Sequence, residues 1–249
     1  MLTGFVTNFF DTLGIGSFAT TTSIFQFTRM VPDQWIPGTL NVGHTIPTVF
    51  QALLYTTVIA VELPTLLLMV AGAIVGAWIG AGVVARMPKR KVQTGVGGAL
   101  LVAFVVLLMR QLDWFPSGGD ALGLSGGKLI AAVTFNFLFG AISTLGIGFY
   151  APCMTVVGLL GMNPIAAFPI MMGSSACLMP VASSQFIRSG AYVPAVAAGL
   201  TIGGLAGVPL AAFVVKSMPL EVARWFVMAV VLYSAVRILH SAYTERHSA

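Results

Sequence analysis

The chain has 249 residues, of which 57% are hydrophobic and only 8% charged, with a formal net charge of +5. A water-soluble domain needs roughly a quarter of its residues charged to cover its surface, so these proportions, with a mean hydropathy of +0.96, exclude a soluble globular protein. The positive balance does not point to nucleic acid, because the basic residues are sparse and sit at the ends of apolar segments.

In chain order, apolar segments run near 2–27, 37–59, 63–85, 92–110, 128–160, 163–187, 191–215 and 220–240. Each approaches or exceeds about 20 residues, the length a helix needs to cross a hydrocarbon core of roughly 30 Å. The expected fold class is therefore an all-α integral membrane protein of about eight long segments. The opening MLTGFVTNFF lacks a basic leading region and a small-residue cleavage site, so no cleaved signal peptide is expected. Arg86, Lys89, Arg90 and Lys91 crowd one short connection, which the positive-inside rule places in the cytoplasm. The tail with Arg237, Arg246 and His247 is a second cytoplasmic candidate. Between Asp113 and Lys128, Pro116, Gly118, Gly119, Gly126 and Gly127 mark a loop. Cys153 and Cys177 both fall in apolar segments, where isolated thiols are expected to pack as small apolar groups. Trp35, Trp114 and Trp225 near segment ends fit an interfacial belt, and Trp78 lies in mid-segment.

The chain repeats itself. The pentapeptide TLGIG occurs at Thr12–Gly16 and at Thr144–Gly148, 132 positions apart. At the same offset Phe5 meets Phe137 and Pro37 meets Pro169, and Met87-Pro88 meets Met218-Pro219 at an offset of 131. We therefore divide the chain into a first membrane repeat over 1–112, a connecting loop over 113–127 and a second repeat over 128–249. Each half reads as a long interrupted segment, a second segment broken by Gly or Pro, and two ordinary spanning helices. Paired interruptions are the pointer to a binding site in secondary transporters. A helix that breaks inside a membrane must turn its freed backbone groups to protein or to a wet cavity, and one restarting at Gly16 or Gly148 aims a positive dipole end there, which suits an anion. Close helix packing is the competing use of Gly14, Gly16, Gly146 and Gly148. It is the expected use of Gly72, Gly76 and Gly80, and of Gly199, Gly203 and Gly207. If the interrupted segment enters and returns, each half crosses an odd number of times and the repeats are inverted, which the uneven basic charge of the two equivalent connections favours.

The Leu-Gly-Ile-Gly break, the second segment led by Pro37 or Pro169 with a small polar centre, the small-residue-rich third helix and the Met-Pro turn followed in the first half by basic residues together resemble the sulfite exporter TauE/SafE family. The resemblance covers nearly the whole chain and both halves. It implies a transporter of sulfite, sulfonates and related anions, commonly outward, in the cytoplasmic membrane. The chain departs from the family pattern just after each break, where Ser17-Phe18 and Phe149-Tyr150 stand in place of further glycines and a proline, with Pro152 partly restoring it in the second half.

Ionisable residues inside apolar segments are functional candidates because burying them is costly. Asp11 precedes the first break and is a candidate for proton coupling or for capping the restarting backbone. His44 could hold an anion or bond between helices. The centres Asn41 to Thr45 and Gly173 to Ala176, the latter with Ser174 and Ser175, concentrate hydroxyl and amide groups, with Gln51 and Gln185 further along. Several neutral donors with helix ends can bind an oxyanion weakly enough to release it. The substrate-binding set is then Thr12, Gly14, Gly16, Ser17, Asn41, His44, Gln51, Thr144, Gly146, Gly148, Ser174, Ser175 and Gln185, with Asp11 for coupling. Thr20, Thr21 and Thr22 follow the first break, where hydroxyls often bond their own helix. His44, His240 and His247 are scattered, and neither a zinc-protease motif nor a phosphate-binding loop occurs. The expected function is a secondary transporter exporting a small sulfur-containing anion, with an anion channel or a carrier for another organic anion as the alternative. It is not expected to be an enzyme and calls for no cofactor or metal. Its partners are a small anion and the lipid bilayer, not nucleic acid, and a homodimer is left open.

Overall fold

The computed structural model describes residues 1–12, 16–55, 60–114, 119–146, 149–163, 166–214 and 220–247. Among them the regular structure is helical: α1 (Leu2–Thr12), α2 (Ser17–Thr28), α3 (Ile36–Tyr55), α4 (Leu63–Val84) and α5 (Lys89–Gln111), then α6 (Gly126–Ser143), α7 (Tyr150–Leu159), α8 (Ala167–Ser189), α9 (Pro194–Val214) and α10 (Leu220–His247). Among the described residues four stretches are long and apolar enough to cross a membrane: Leu63–Val84, Gly126–Ser143, Pro169–Ser189 and Pro194–Ala211. Along α4, Leu63, Leu67, Val75, Trp78, Ile79 and Val83 all face outwards. Such a continuous apolar face belongs against lipid rather than water.

Both predicted interruptions are present. Helix α1 ends at Thr12 and α2 starts at Ser17, while α6 ends at Ser143 and α7 starts at Tyr150. Each break holds a glycine with positive φ, Gly16 at 91° and Gly146 at 103°, a backbone state that L side chains rarely adopt. At 11 and 12 residues, α1 and α2 each span about half of a hydrocarbon core. Gly14, Gly148, Lys216 and Met218-Pro219 lie outside the described residues.

The second segments are not broken. Helices α3 and α8 run unbroken for 20 and 23 residues, with Pro47 and Pro180 inside them. Proline removes an N–H and orphans the carbonyl one turn back. At Pro47 that carbonyl belongs to Gly43, and the Thr201 hydroxyl of α9 donates to it at 2.9 Å, so a partner from the other half keeps α3 continuous.

The two halves pack reciprocally. A β-carbon added at Gly72, Gly76 or Gly80 of α4 would meet the α6 residues Val133, Phe137 and Ala141 in turn, and one added at Gly199, Gly203 or Gly207 of α9 would meet α1 between Met1 and Phe9. The six glycines therefore act as expected, letting two helix pairs approach backbone to backbone. The rising order of the contacts makes α4 parallel to α6 and α9 parallel to α1. In contrast, Gly38 of α3 abuts Phe186 and Ala191, while Thr45 further along α3 bonds Ser183 of α8 at 2.8 Å. Helices α3 and α8 thus run antiparallel. A second apolar cluster joins Val92, Val96 and Leu100 of α5 to Val231, Ala235 and Ile238 of α10.

The connection before α6 is tied down at several points. Gly119 donates to the Met162 carbonyl, Asn163 to the Ala121 carbonyl and Glu62 to the Leu122 carbonyl. The basic connection keeps Arg86, Lys89, Arg90 and Lys91 exposed. Of the two free thiols, Cys153 is buried as expected, but Cys177 is exposed on α8.

Candidate functional site

The polar chemistry of the first half gathers at its break. His44 of α3 bonds the Asn8 Oδ1 of α1 through Nδ1 at 3.1 Å and faces the Thr21 hydroxyl of α2 through Nε2 at 3.0 Å. The Asn8 amide nitrogen already donates to the Gly4 carbonyl, so its oxygen faces the ring and Nδ1 is the donor. One imidazole with two hydrogen bonds spans only about 8 Å, whereas a continuous helix would carry Thr21 about 20 Å beyond Asn8. The chain therefore folds back between α1 and α2, and His44 clasps both arms. At the tip, the Ser17 N–H, first in α2, donates to the Asp11 carboxyl oxygen at 2.6 Å. A carboxyl at that position caps the helix and offsets its positive end.

The second break meets the first half. Asn41 donates from Nδ2 to the Pro37 carbonyl at 2.8 Å and to the Thr144 carbonyl at 3.4 Å. A β-carbon placed on Gly146 would lie 3.4 Å from a Leu40 methyl and 3.8 Å from the Thr22 hydroxyl. Asn41 Oδ1 and Thr22 Oγ1, both buried, have no hydrogen-bond partner among the described residues. Thr22 is distinctive in this respect, since the hydroxyls of Thr20 and Ser23 bond the carbonyls of their own helix. An unsatisfied buried polar group costs about 1–3 kcal/mol, so two beside one glycine turn call for an explanation. Helix α7 restarts at Tyr150, and the residue before it, Phe149, makes no side-chain cap bond.

From Asn41 a polar face continues along α3 through His44, Thr45, Thr48 and Gln51, positions that share one side of a helix. Gln51 is 1% exposed and neither of its amide atoms has a partner among the described residues. The remaining expected residues are more dispersed. Thr12 and Thr144 spend their hydroxyls on the Asn8 and Ala141 carbonyls. Ser174 accepts from Asn136, whose nitrogen also reaches the Met69 carbonyl. Ser175 is buried. Gln185 is half-buried near the end of α8, and at about 1.5 Å per residue it stands about 16 Å along the helix from Ser174. Gly16 closes the first tip, where an added β-carbon would meet nothing within 4 Å.

Sequence reasoning passed over Asn8 and set Thr22 among the threonines that bond their own helix. Asn8 had one usable signal, an amide one turn before a break inside an apolar segment, where the second half has Gly140. Among the described residues no group of His, Cys, Asp or Glu could hold a metal ion.

A helical chain with an apolar outer face, interrupted helices and buried polar groups at the first break fits the class of multi-pass membrane transporters. The family model for the sulfite exporter TauE/SafE matches residues 1–238. The chain belongs to that family, whose function is the export of sulfite and related anions. No curated protein and no solved structure matches it.

Proposed function

We propose that the chain is a secondary transporter that exports sulfite or an organosulfonate across the cytoplasmic membrane by alternating access between two inverted repeats. The observation carrying this reading is the meeting of Asn41 and Thr22 of the first half with the Gly146 turn of the second. There, the buried Thr22 hydroxyl and the buried Asn41 amide meet a glycine turn of the other half, and a neutral hydroxyl donor suits an oxyanion that must also leave.

Two features support inversion. The first segment folds back rather than crossing, which leaves the first half an odd number of crossings. Helix α3 and its counterpart α8, 132 positions on, run antiparallel, as repeats related by an axis in the membrane plane require. In this reading Asn41, Thr22, Thr144 and Gly146 contact the anion, and Gln51, Ser174, Ser175 and Gln185 line its path. His44, Thr12, Gly16 and Ser17 shape the first tip. Asp11 couples transport to protons: a carboxylate holds the Ser17 N–H and the positive end of α2, and protonation weakens that cap.

The test is uptake of labelled sulfite, sulfoacetate, taurine and a carboxylate control into proteoliposomes, with and without a proton gradient. Saturable uptake of a sulfur anion, stimulated by the gradient, is the expected result. Transport of none of them would overturn the substrate claim, and single-channel currents would replace the carrier by a channel.

A further inference from the structure

Asn41 is oriented by its own hydrogen bonds. Its nitrogen donates to two carbonyls, Pro37 and Thr144, and an amide turned the other way would set oxygen against oxygen. Its Oδ1 is therefore fixed, fully buried and without a partner among the described residues. A carbonyl oxygen accepts hydrogen bonds and repels the oxygens of an anion, so only a donor can satisfy it. The Thr22 hydroxyl, against the same turn at Gly146 and also buried and unpartnered among the described residues, can rotate to donate, and so suits an anion oxygen.

We propose that the site selects an oxyanion that carries its own hydrogen-bond donor, received by Asn41 Oδ1 while Thr22 donates to an anionic oxygen. The class includes hydrogensulfite, through its acidic hydrogen, and sulfonates bearing a hydroxyl or ammonium group. It disfavours the sulfite dianion and sulfonates whose other end is apolar or is itself a carboxylate, sulfoacetate among them. This inference rests on the transporter reading above and narrows its substrate.

The direct probe is a pair of ligands that differ by one hydroxyl, 2-hydroxyethanesulfonate and ethanesulfonate, with sulfite as a reference, measured by equilibrium binding to the purified protein. The wild-type chain should bind the hydroxylated ligand about tenfold or more tightly, the worth of one hydrogen bond in a site built to receive it. Asn41→Leu should bring the ratio to about one. Thr22→Val should weaken both ligands by similar factors and preserve the ratio. Equal binding of the two sulfonates by the wild-type chain would overturn the donor requirement and leave the transporter reading standing, as would a preference that survives in Asn41→Leu. If that variant does not fold, the wild-type ratio still decides. Binding of neither sulfonate nor sulfite would overturn the transporter reading along with the inference.

Discussion

The two halves share a frame and differ in chemistry. Where the first half has Asn8, Asp11, Ser17, Thr21, Asn41 and His44, the second has Gly140, Ser143, Phe149, Cys153, Gly173 and Ala176. Among the positions kept in both are glycines that let backbones touch: Gly72 and Gly203 abut Val133 and Met1, and Gly76 and Gly207 abut Phe137 and Phe5. Duplication thus sets the packing of the molecule, and divergence gives one half its polar groups. The second half brings to the site chiefly backbone, a glycine turn and a helix start.

The largest effects should fall on the shared positions and be equal in the two halves. Gly76→Val and Gly207→Val each drive a side chain into a facing backbone, and overpacking of this kind costs about 3 kcal/mol at the upper end of its usual range. Thermal melts in detergent should show similar large losses for both variants; a loss in only one half would break the comparison.

Next come the divergent positions. His44→Ala removes the clasp and leaves Asn8 and Thr21 buried without it, a cost of about 2–3 kcal/mol, whereas Ala176→Ser at the equivalent place should change stability by less than about 0.5 kcal/mol. Equal losses would contradict the division of labour. At the tips, Asp11→Ala removes a helix cap worth about 1 kcal/mol. Asp11→Asn keeps an oxygen for the Ser17 N–H and should hold most of that stability while abolishing the response of transport to a proton gradient. Ser143→Ala should do neither, since its hydroxyl bonds only the Gly140 carbonyl of its own helix. A gradient response that persists in Asp11→Asn would remove Asp11 from coupling. The smallest effect on stability is expected from Thr22→Val. Its hydroxyl has no protein partner to lose, so the melt should move by less than about 0.5 kcal/mol while KM rises about tenfold.

Much of this frame was legible in the sequence because it is local. The doubled TLGIG locates both breaks, and glycines at four-residue spacing mark the close helix pairs, since each signal depends only on a helix and its own period. What could not be read depends on distant partners. Nothing near Pro47 foretells that Thr201 completes its helix, and the fold-back of α1 on α2, conditional in the sequence, takes its geometry from Asn8, His44 and Thr21 together. The candidate site was legible as a set of residue types but not as an arrangement. Asn41 meets Thr144 across 103 positions, and its oxygen is left open by bonds no local pattern encodes. Cys177 sits in an apolar segment yet faces outwards, because hydropathy gives depth in the membrane and not the side of a helix.

In the proposed transporter an anion is carried at the meeting of Asn41 and Thr22 with the second break. Counterflow of labelled sulfite into proteoliposomes preloaded with unlabelled sulfite tests it most directly. The wild-type chain should show saturable counterflow, reduced about tenfold or more at low substrate in Thr22→Val with an unchanged melt. Counterflow that is absent from the wild-type chain, or untouched by that substitution, would contradict it.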